Sequence, residues 1–184
     1  MKNIQFIKES LKSIKEVGAM LPSSKFVVSK MIESINFERD NLILELGPGT
    51  GVITNQILKK MTIRSRLICF ETNESFQKEL KQKFDGKITL INDSAENIKF
   101  HLNKLGITKI DYIISSIPLV TLPKKTTNNI LLTSSETLGT NKKFVQLQHS
   151  KMMDKRLKKY FNQIDVKFTT KNYIPAFIYT CYNQ

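Results

Sequence analysis

Apolar residues recur at helical spacing over residues 4 to 17: Ile4, Ile7, Leu11 and Ile14 form one stripe, Lys8, Lys12 and Lys15 line its flank, and Glu9 and Glu16 lie further round. That pattern predicts a basic amphipathic helix. It breaks at Val17-Gly18-Ala19-Met20-Leu21-Pro22-Ser23-Ser24, a loop from which Ser23 or Ser24 caps a second helix running through Phe26, Val27, Met31 and Ile32. From residue 42 the pattern changes. Short apolar runs near 42–46, 66–71, 87–92, 110–115, 143–148, 164–170 and 174–182 read as strands, and helical patterns near 52–61, 74–84, 95–104, 123–137 and 150–161 lie between them. This alternation predicts right-handed βαβ units and a mostly parallel sheet. Only Thr169-Thr170-Lys171-Asn172 separates the last two runs, so these pair as an antiparallel hairpin.

Composition narrows the class. A chain of 184 residues with 40% hydrophobic and 24% charged residues suits one folded domain, with no repeat or low-complexity tract. Cys69 and Cys181 fall in strand-like runs without a CxxC or Cys/His cluster, which predicts buried free thiols in a reducing cytoplasm and no metal site. No run approaches the roughly 18 to 20 apolar residues of a spanning helix, and no compact apolar core precedes a small-residue cleavage site, so neither insertion nor export is expected. The excess of 29 Lys+Arg over 16 Asp+Glu, formally +13, predicts attraction to a polyanion, either nucleic acid or an anionic membrane surface.

The strongest chemical signal is Leu42-Ile43-Leu44-Glu45-Leu46-Gly47-Pro48-Gly49-Thr50-Gly51, an apolar strand entering three alternate glycines and then a helix. Glycines there allow a tight turn and close approach to a ligand. The E-L-G-x-G-x-G form resembles the first motif of class I S-adenosylmethionine (SAM) dependent methyltransferases. Their parallel sheet also ends in one reversed strand.

That resemblance implies SAM as cofactor and S-adenosylhomocysteine as product, Glu45 near the cofactor's amino-acid end, and Gly47, Gly49 and Gly51 as the floor beneath it. Glu71 ends the second strand, 20 residues after Gly51, where a Rossmann-type site grips ribose hydroxyls. Asp93, Ser94 and Ala95 end the third and resemble the acidic motif that contacts the adenine amine. A helix N-cap role for Asp93 or Ser94 is compatible with this. The predicted fold is α/β and Rossmann-like: a mostly parallel seven-stranded sheet with an antiparallel C-terminal hairpin, helices on both faces and amphipathic N-terminal helices. It forms a single domain over residues 1–184, with 1–36 as a helical lid or membrane-contact segment.

The fourth strand delivers Ser115-Ser116-Ile117-Pro118-Leu119 to the edge where the methyl acceptor should lie. Adenine and rRNA dimethylating enzymes carry N/D-x-P-Y/F here, an oxygen to hold the base's amino group and a ring to stack on the base. In this chain a serine takes the first position and Leu119 the aromatic one, so stacking loses its platform. Ser115 is assigned to the cofactor and Ser116, Pro118 and Leu119 to the acceptor side.

Nearly the whole chain resembles the bacterial phospholipid N-methyltransferases, which convert phosphatidylethanolamine stepwise to phosphatidylcholine. The matching segments are Lys15 to Ser24, Glu45 to Thr54, Ser116 to Pro123, Phe144 to Gln148 and Tyr173 to Ala176. The resemblance implies a lid or substrate role for Gly18, Pro22, Ser23 and Ser24. It implies a phospholipid partner and peripheral membrane association in the cytoplasm, with the first helix placing its lysines against anionic lipid. A monomer or weak oligomer is expected. The stretch 150–161, with Met153, Leu157, Tyr160 and Phe161 on one face and lysines on the other, either covers the sheet or joins that contact.

Methyl transfer from a sulfonium needs alignment and dryness more than a nucleophile, but an ammonium substrate must first lose a proton. His149, where that family has a tyrosine, is the candidate base; Ser116 and Tyr173 are candidate positioning groups. His101, on a predicted helix, receives no role. Two rival readings stand: an rRNA or other nucleic-acid adenine N6-methyltransferase, disfavoured by the absence of an appended recognition domain, and a SAM-binding partner protein without catalysis.

Overall fold

A computed structural model describes residues 24–172 and 174–183. The predicted helix over 4–17, the loop carrying Gly18, Pro22 and Ser23, and Tyr173 lie outside the described residues.

The first described helix, α1 (Lys25–Ile32), starts at Ser24, whose side chain accepts from the Val27 amide. The same residue is fastened to the far end of the chain. Its hydroxyl donates to the Lys171 carbonyl at 2.6 Å and its amide to Asn172 Oδ1 at 2.9 Å. Ser24 is thus a helix cap and a tie, outside the cavity wall where a substrate role would put it. Val27, Val28, Met31 and Ile32 bury one face of α1 against the sheet.

Then follow β1 (Leu42–Leu46), α2 (Val52–Lys60), β2 (Arg66–Phe70), α3 (Glu74–Phe84), β3 (Thr89–Ile91), α4 (Ile98–Lys104), β4 (Ile110–Ser115), α5 (Lys124–Thr137), β5 (Leu138–Gln148), α6 (Asp154–Leu157), β6 (Gln163–Thr169) and β7 (Ala176–Tyr182). The seven strands form one sheet in the order β3-β2-β1-β4-β5-β7-β6. Strands β1 to β5 are parallel, while β7 runs antiparallel to both β5 and β6. From β1 the chain winds outward to β2 and β3, then returns to β4 on the other side. This reversal opens a crevice at the carboxyl ends of β1 and β4, the place where such sheets bind ligands.

Two apolar layers sandwich the sheet. Leu44, Leu46, Ile68, Phe70, Ile113 and Phe144 face α4, α5 and α6, whereas Ile43, Leu67, Cys69, Ile114 and Val145 face α1 and α2. Both cysteines are free and buried, and burial pushes both thiols up from their ordinary value.

Three elements depart from the pattern read in the sequence. Strand β5 begins at Leu138, five residues before the apolar run, because Leu138 already pairs with Ile110 before a register shift. Asn141, at φ 58°, takes up the irregularity in a polar stretch that hides the strand. The stretch 150–161 is no continuous helix: a 3-10 turn over Lys151–Met153 leads into the single turn of α6. Met153, Leu157 and Phe161 are nevertheless buried, so its apolar face covers the sheet. The helix expected over 95–104 likewise opens as a 3-10 turn over Ala95–Asn97.

Candidate functional site

The crevice is a cavity of about 450 Å³. The loop from β1 to α2 forms one wall. Gly47 and Gly49 line it with φ of 73° and 56°, conformations that side chains resist. A Cβ on Gly49 would meet nothing within 4 Å. Open space on that side suits a ligand lying against the bare backbone. Gly51 differs from both, because it does not line the cavity and a Cβ there would approach Phe84 to 2.5 Å. The third glycine therefore serves the packing of α2 on α3 and not the cofactor floor.

Glu71, the residue after β2, lines the cavity and gathers backbone amides. Its Oε1 accepts from Thr72 and Asn73 at 2.9 and 2.8 Å, and its Oε2 accepts from Gly49 at 3.1 Å. One carboxylate thereby holds the glycine loop and the start of α3 in a fixed relation. Burial raises its pKa, outweighing the three amide hydrogen bonds that favour the ionised form.

Asp93 lines the cavity beyond β3, with Ser94 and Ala95 beside it. Its carboxylate accepts from the Ser94 amide at 2.7 Å and from Asn97 Nδ2 at 3.0 Å, and lies 2.7 Å from His101 Nε2. Burial would raise the Asp93 pKa, but the His101, Asn97 and Ser94 hydrogen bonds win and hold it below the usual value. Ser94 in turn caps the 3-10 turn through the Glu96 amide. His101 is the residue sequence reasoning passed over. The Phe70 and Phe100 rings pack nearly perpendicular to its imidazole, with centroids at 5.6 and 5.1 Å.

Glu45 and Ser115 are placed differently from expectation. Glu45 shares the α2 face of β1 with Ile43, is fully buried and does not line the cavity. Thr54 of α2 donates to its Oε2 at 2.7 Å, and Oε1 has no partner among the described residues. Burial lifts the carboxyl to about 7 despite the Thr54 and Cys69 hydrogen bonds. Ser115 is likewise buried, its Oγ unpartnered among the described residues, away from the cavity wall.

The acceptor side starts at Ser116, which lines the cavity and whose amide donates to the Leu46 carbonyl at 2.9 Å. Pro118 also lines it, but Leu119 does not. A tight turn from Ile117 to Leu119 and a 2.9 Å hydrogen bond from Thr127 Oγ1 to the Leu119 carbonyl set Leu119 wholly inside the core. Ile117, Val120, Leu122, Ile130 and Leu147 line this side instead, an aliphatic surface.

At its rim stands His149, exposed, with Nδ1 donating to the Pro175 carbonyl at 3.0 Å. A carbonyl can only accept, so this contact leaves the neutral ring's Nε2 as an acceptor. Gln148 completes the wall, with Gln146 buried behind it. Gln146 donates to the Ile117 and Leu147 carbonyls at 2.9 and 2.7 Å, and Gln148, buried and in the cavity lining, donates to the Ile117 carbonyl at 3.3 Å. The alternation of β5 could have marked Gln148 as facing the same way as Gln146.

In a chain of formal charge +13, two acidic side chains, Glu71 and Asp93, line the cavity. Among the described residues, no lysine or arginine lines it. A cationic sulfonium fits that electrostatic setting. Gly47 and Gly49 can lie beneath the cofactor, Glu71 can meet its ribose and Asp93 its adenine. Among the described residues, no group of three or more His, Cys, Asp or Glu is placed to hold a metal ion.

A sheet of this order, a glycine loop at its crossover and carboxylates after the next two strands define a class I SAM-dependent methyltransferase. Within that class the chain belongs to the ribosomal RNA adenine dimethylase family, whose family model matches residues 15–136. It is 23% identical over 168 residues to an ornithine lipid N-methyltransferase of Singulisphaera acidiphila, covering 90% of this chain and 88% of that one. It is 28% identical over 113 residues to ribosomal RNA small subunit methyltransferase A of Mycoplasma capricolum, covering 59% of this chain and 40% of that one. The chain thus spans most of the lipid enzyme's length and under half of the rRNA enzyme's.

Among solved structures, the 1,6-didemethyltoxoflavin-N1-methyltransferase of Burkholderia thailandensis, with bound S-adenosylhomocysteine, aligns with a TM-score of 0.71 at 12% identity over 98% of this chain and 87% of that one. A precorrin-6y C5,15-methyltransferase of Geobacter metallireducens gives 0.70 at 12% identity over 89% and 92%. At such identities the likeness carries the fold alone.

Proposed function

We propose that the protein transfers methyl groups from SAM to the amine headgroup of a membrane lipid, phosphatidylethanolamine or an ornithine lipid. The carrying observation is the aliphatic acceptor wall, with Leu119 withdrawn into the core. A purine stacks on a ring or guanidinium plane, and among the described residues the acceptor wall has one ring, His149, held at the rim by the Pro175 carbonyl, with aliphatic side chains where a base would lie. A lipid amine needs only a dry slot and acceptors for its N–H groups. Coverage of 88% of the ornithine lipid enzyme supports the same reading.

SAM, when bound, supplies a methyl group on a sulfonium; its carbon–sulfur bond breaks as the nitrogen–carbon bond forms. His149 Nε2 takes the proton that frees the amine lone pair. Ser116 and Gln148, both at the wall, hold the amine in line. Family membership favours a second reading, methylation of an rRNA adenine, for which the +13 charge would serve phosphate contacts. Incubation with SAM and vesicles of either aminolipid, beside total RNA, separates the two. Methylated lipid headgroups are expected; methylated adenosine without methylated lipid would refute the proposal.

A further inference from the structure

Beside the cavity lies a surface that none of these chemical steps uses. His149 and Ser150 line the cavity, and the next two residues leave its rim. The Lys151 ammonium stands 5.6 Å above the Phe177 ring, and the side chain of Met152 is turned out, 75% exposed. Phe177 pairs with Gln148 at the carboxyl end of β5, so it shares the cavity's edge of the sheet. Its ring packs on Phe168 at 4.8 Å, and Phe168 is 58% exposed. Across the turn between β6 and β7, Ile174 is exposed and Lys171 stands 5.1 Å above the Phe26 ring.

Positive charge predominates here. Between residues 149 and 177 the chain carries Lys151, Lys155, Arg156, Lys158, Lys159, Lys167 and Lys171 against Asp154 and Asp165. The two carboxylates accept from the hydroxyls of Tyr179 and Tyr182, and Lys167 is ion-paired with Glu33, so the remaining cations still outnumber the acids. Large apolar side chains clustered in water within a basic surround mark a contact surface. An anionic bilayer satisfies both halves, taking apolar groups into the headgroup boundary and pairing ammonium groups with phosphates. Nucleic acid suits it less: lysines already lie over the faces of Phe177 and Phe26 that bases would stack on, and Met152 and Ile174 offer it nothing.

We infer that Met152, Phe168, Phe177 and Ile174, with Lys151 and Lys171, dock the protein on an anionic lipid bilayer with the cavity mouth toward the headgroups. The orientation, though not the docking, rests on the aminolipid reading. The test compares the full chain with Met152→Ser/Phe168→Ser and with Lys151→Glu/Lys171→Glu. Each is sedimented with phosphatidylcholine vesicles containing phosphatidylglycerol and assayed for methyl transfer to phosphatidylethanolamine or ornithine lipid in detergent micelles.

Both variants should lose at least fivefold in vesicle association while binding SAM as the parent does, which also reports an intact fold. Equal sedimentation of parent and variants overturns the docking surface, as does loss of RNA binding with vesicle binding unchanged. Loss of vesicle binding in the variants, with no methylation of micellar lipid by any of the proteins, leaves the docking standing and removes the aminolipid function.

Discussion

Asp93 Oδ2 and His101 Nε2 meet at 2.7 Å, joining the loop after β3 to α4 and fixing the carboxylate that faces the cavity. His101 acts through Asp93 and not on a ligand, so its loss should loosen cofactor binding alone. His101→Ala is expected to raise the KM for SAM roughly fivefold, about 1 kcal/mol for one hydrogen bond, with kcat unchanged. His101→Gln, which retains an N–H donor, should recover part of it. Unaltered SAM affinity in His101→Ala would remove His101 from the site.

The alternate glycines should separate in experiment. Gly51→Ala drives a Cβ toward the Phe84 ring at φ 81°, so unfolding should cost about 1–3 kcal/mol less, and Phe84→Leu should relieve part of the deficit in a double-mutant cycle. Gly49→Val instead sends its side chain into open space, with nothing within 4 Å of its Cβ, where the cofactor would lie. That variant should lose SAM affinity at least tenfold by calorimetry, with a smaller change in melting temperature from its φ alone. Equal melting losses in Gly49→Val and Gly51→Ala would contradict the division of labour.

Glu45 predicts a pH dependence of stability. Burial raises its carboxyl from 4.5 to about 7, so between those values the folded state keeps a proton that the unfolded state releases. Its contribution to stability is therefore complete below pH 4.5 and is lost as pH rises toward 7, by up to about 1.4 kcal/mol per unit. Glu45→Gln, uncharged and still able to accept from Thr54, should not lose stability in this way. Parallel dependence of the two melting temperatures between pH 5 and 7 would exclude Glu45 as the source.

The strands β1 and β4 and helix α3 were legible to the residue, because each is an apolar or amphipathic run bounded by turn residues. That Gly47, Gly49, Glu71 and Asp93 line one cavity was legible from spacing, since a glycine loop and strand-end carboxylates in a parallel sheet converge on one edge. What stayed hidden depended on depth and long-range contact. Glu45, near the end of β1, and Gly51, in the loop that follows, are turned into packing by the α2 and α3 faces. Leu119 follows a turn whose inward course depends on Thr127, eight residues on. His101 gains its meaning only when α4 folds back on Asp93. The irregular start of β5 is polar, and strand pairing with Ile110 rather than hydrophobic pattern defines it.

The most direct test of the central claim places both candidate acceptors in one reaction: methyl-labelled SAM, the full chain, anionic vesicles carrying phosphatidylethanolamine or ornithine lipid, and total RNA, followed by phase separation. Label should pass into the organic phase, on the headgroup nitrogen, and Gly49→Val should abolish it. Label confined to the aqueous RNA, on adenine, would contradict the account and make the rRNA acceptor the function of this fold.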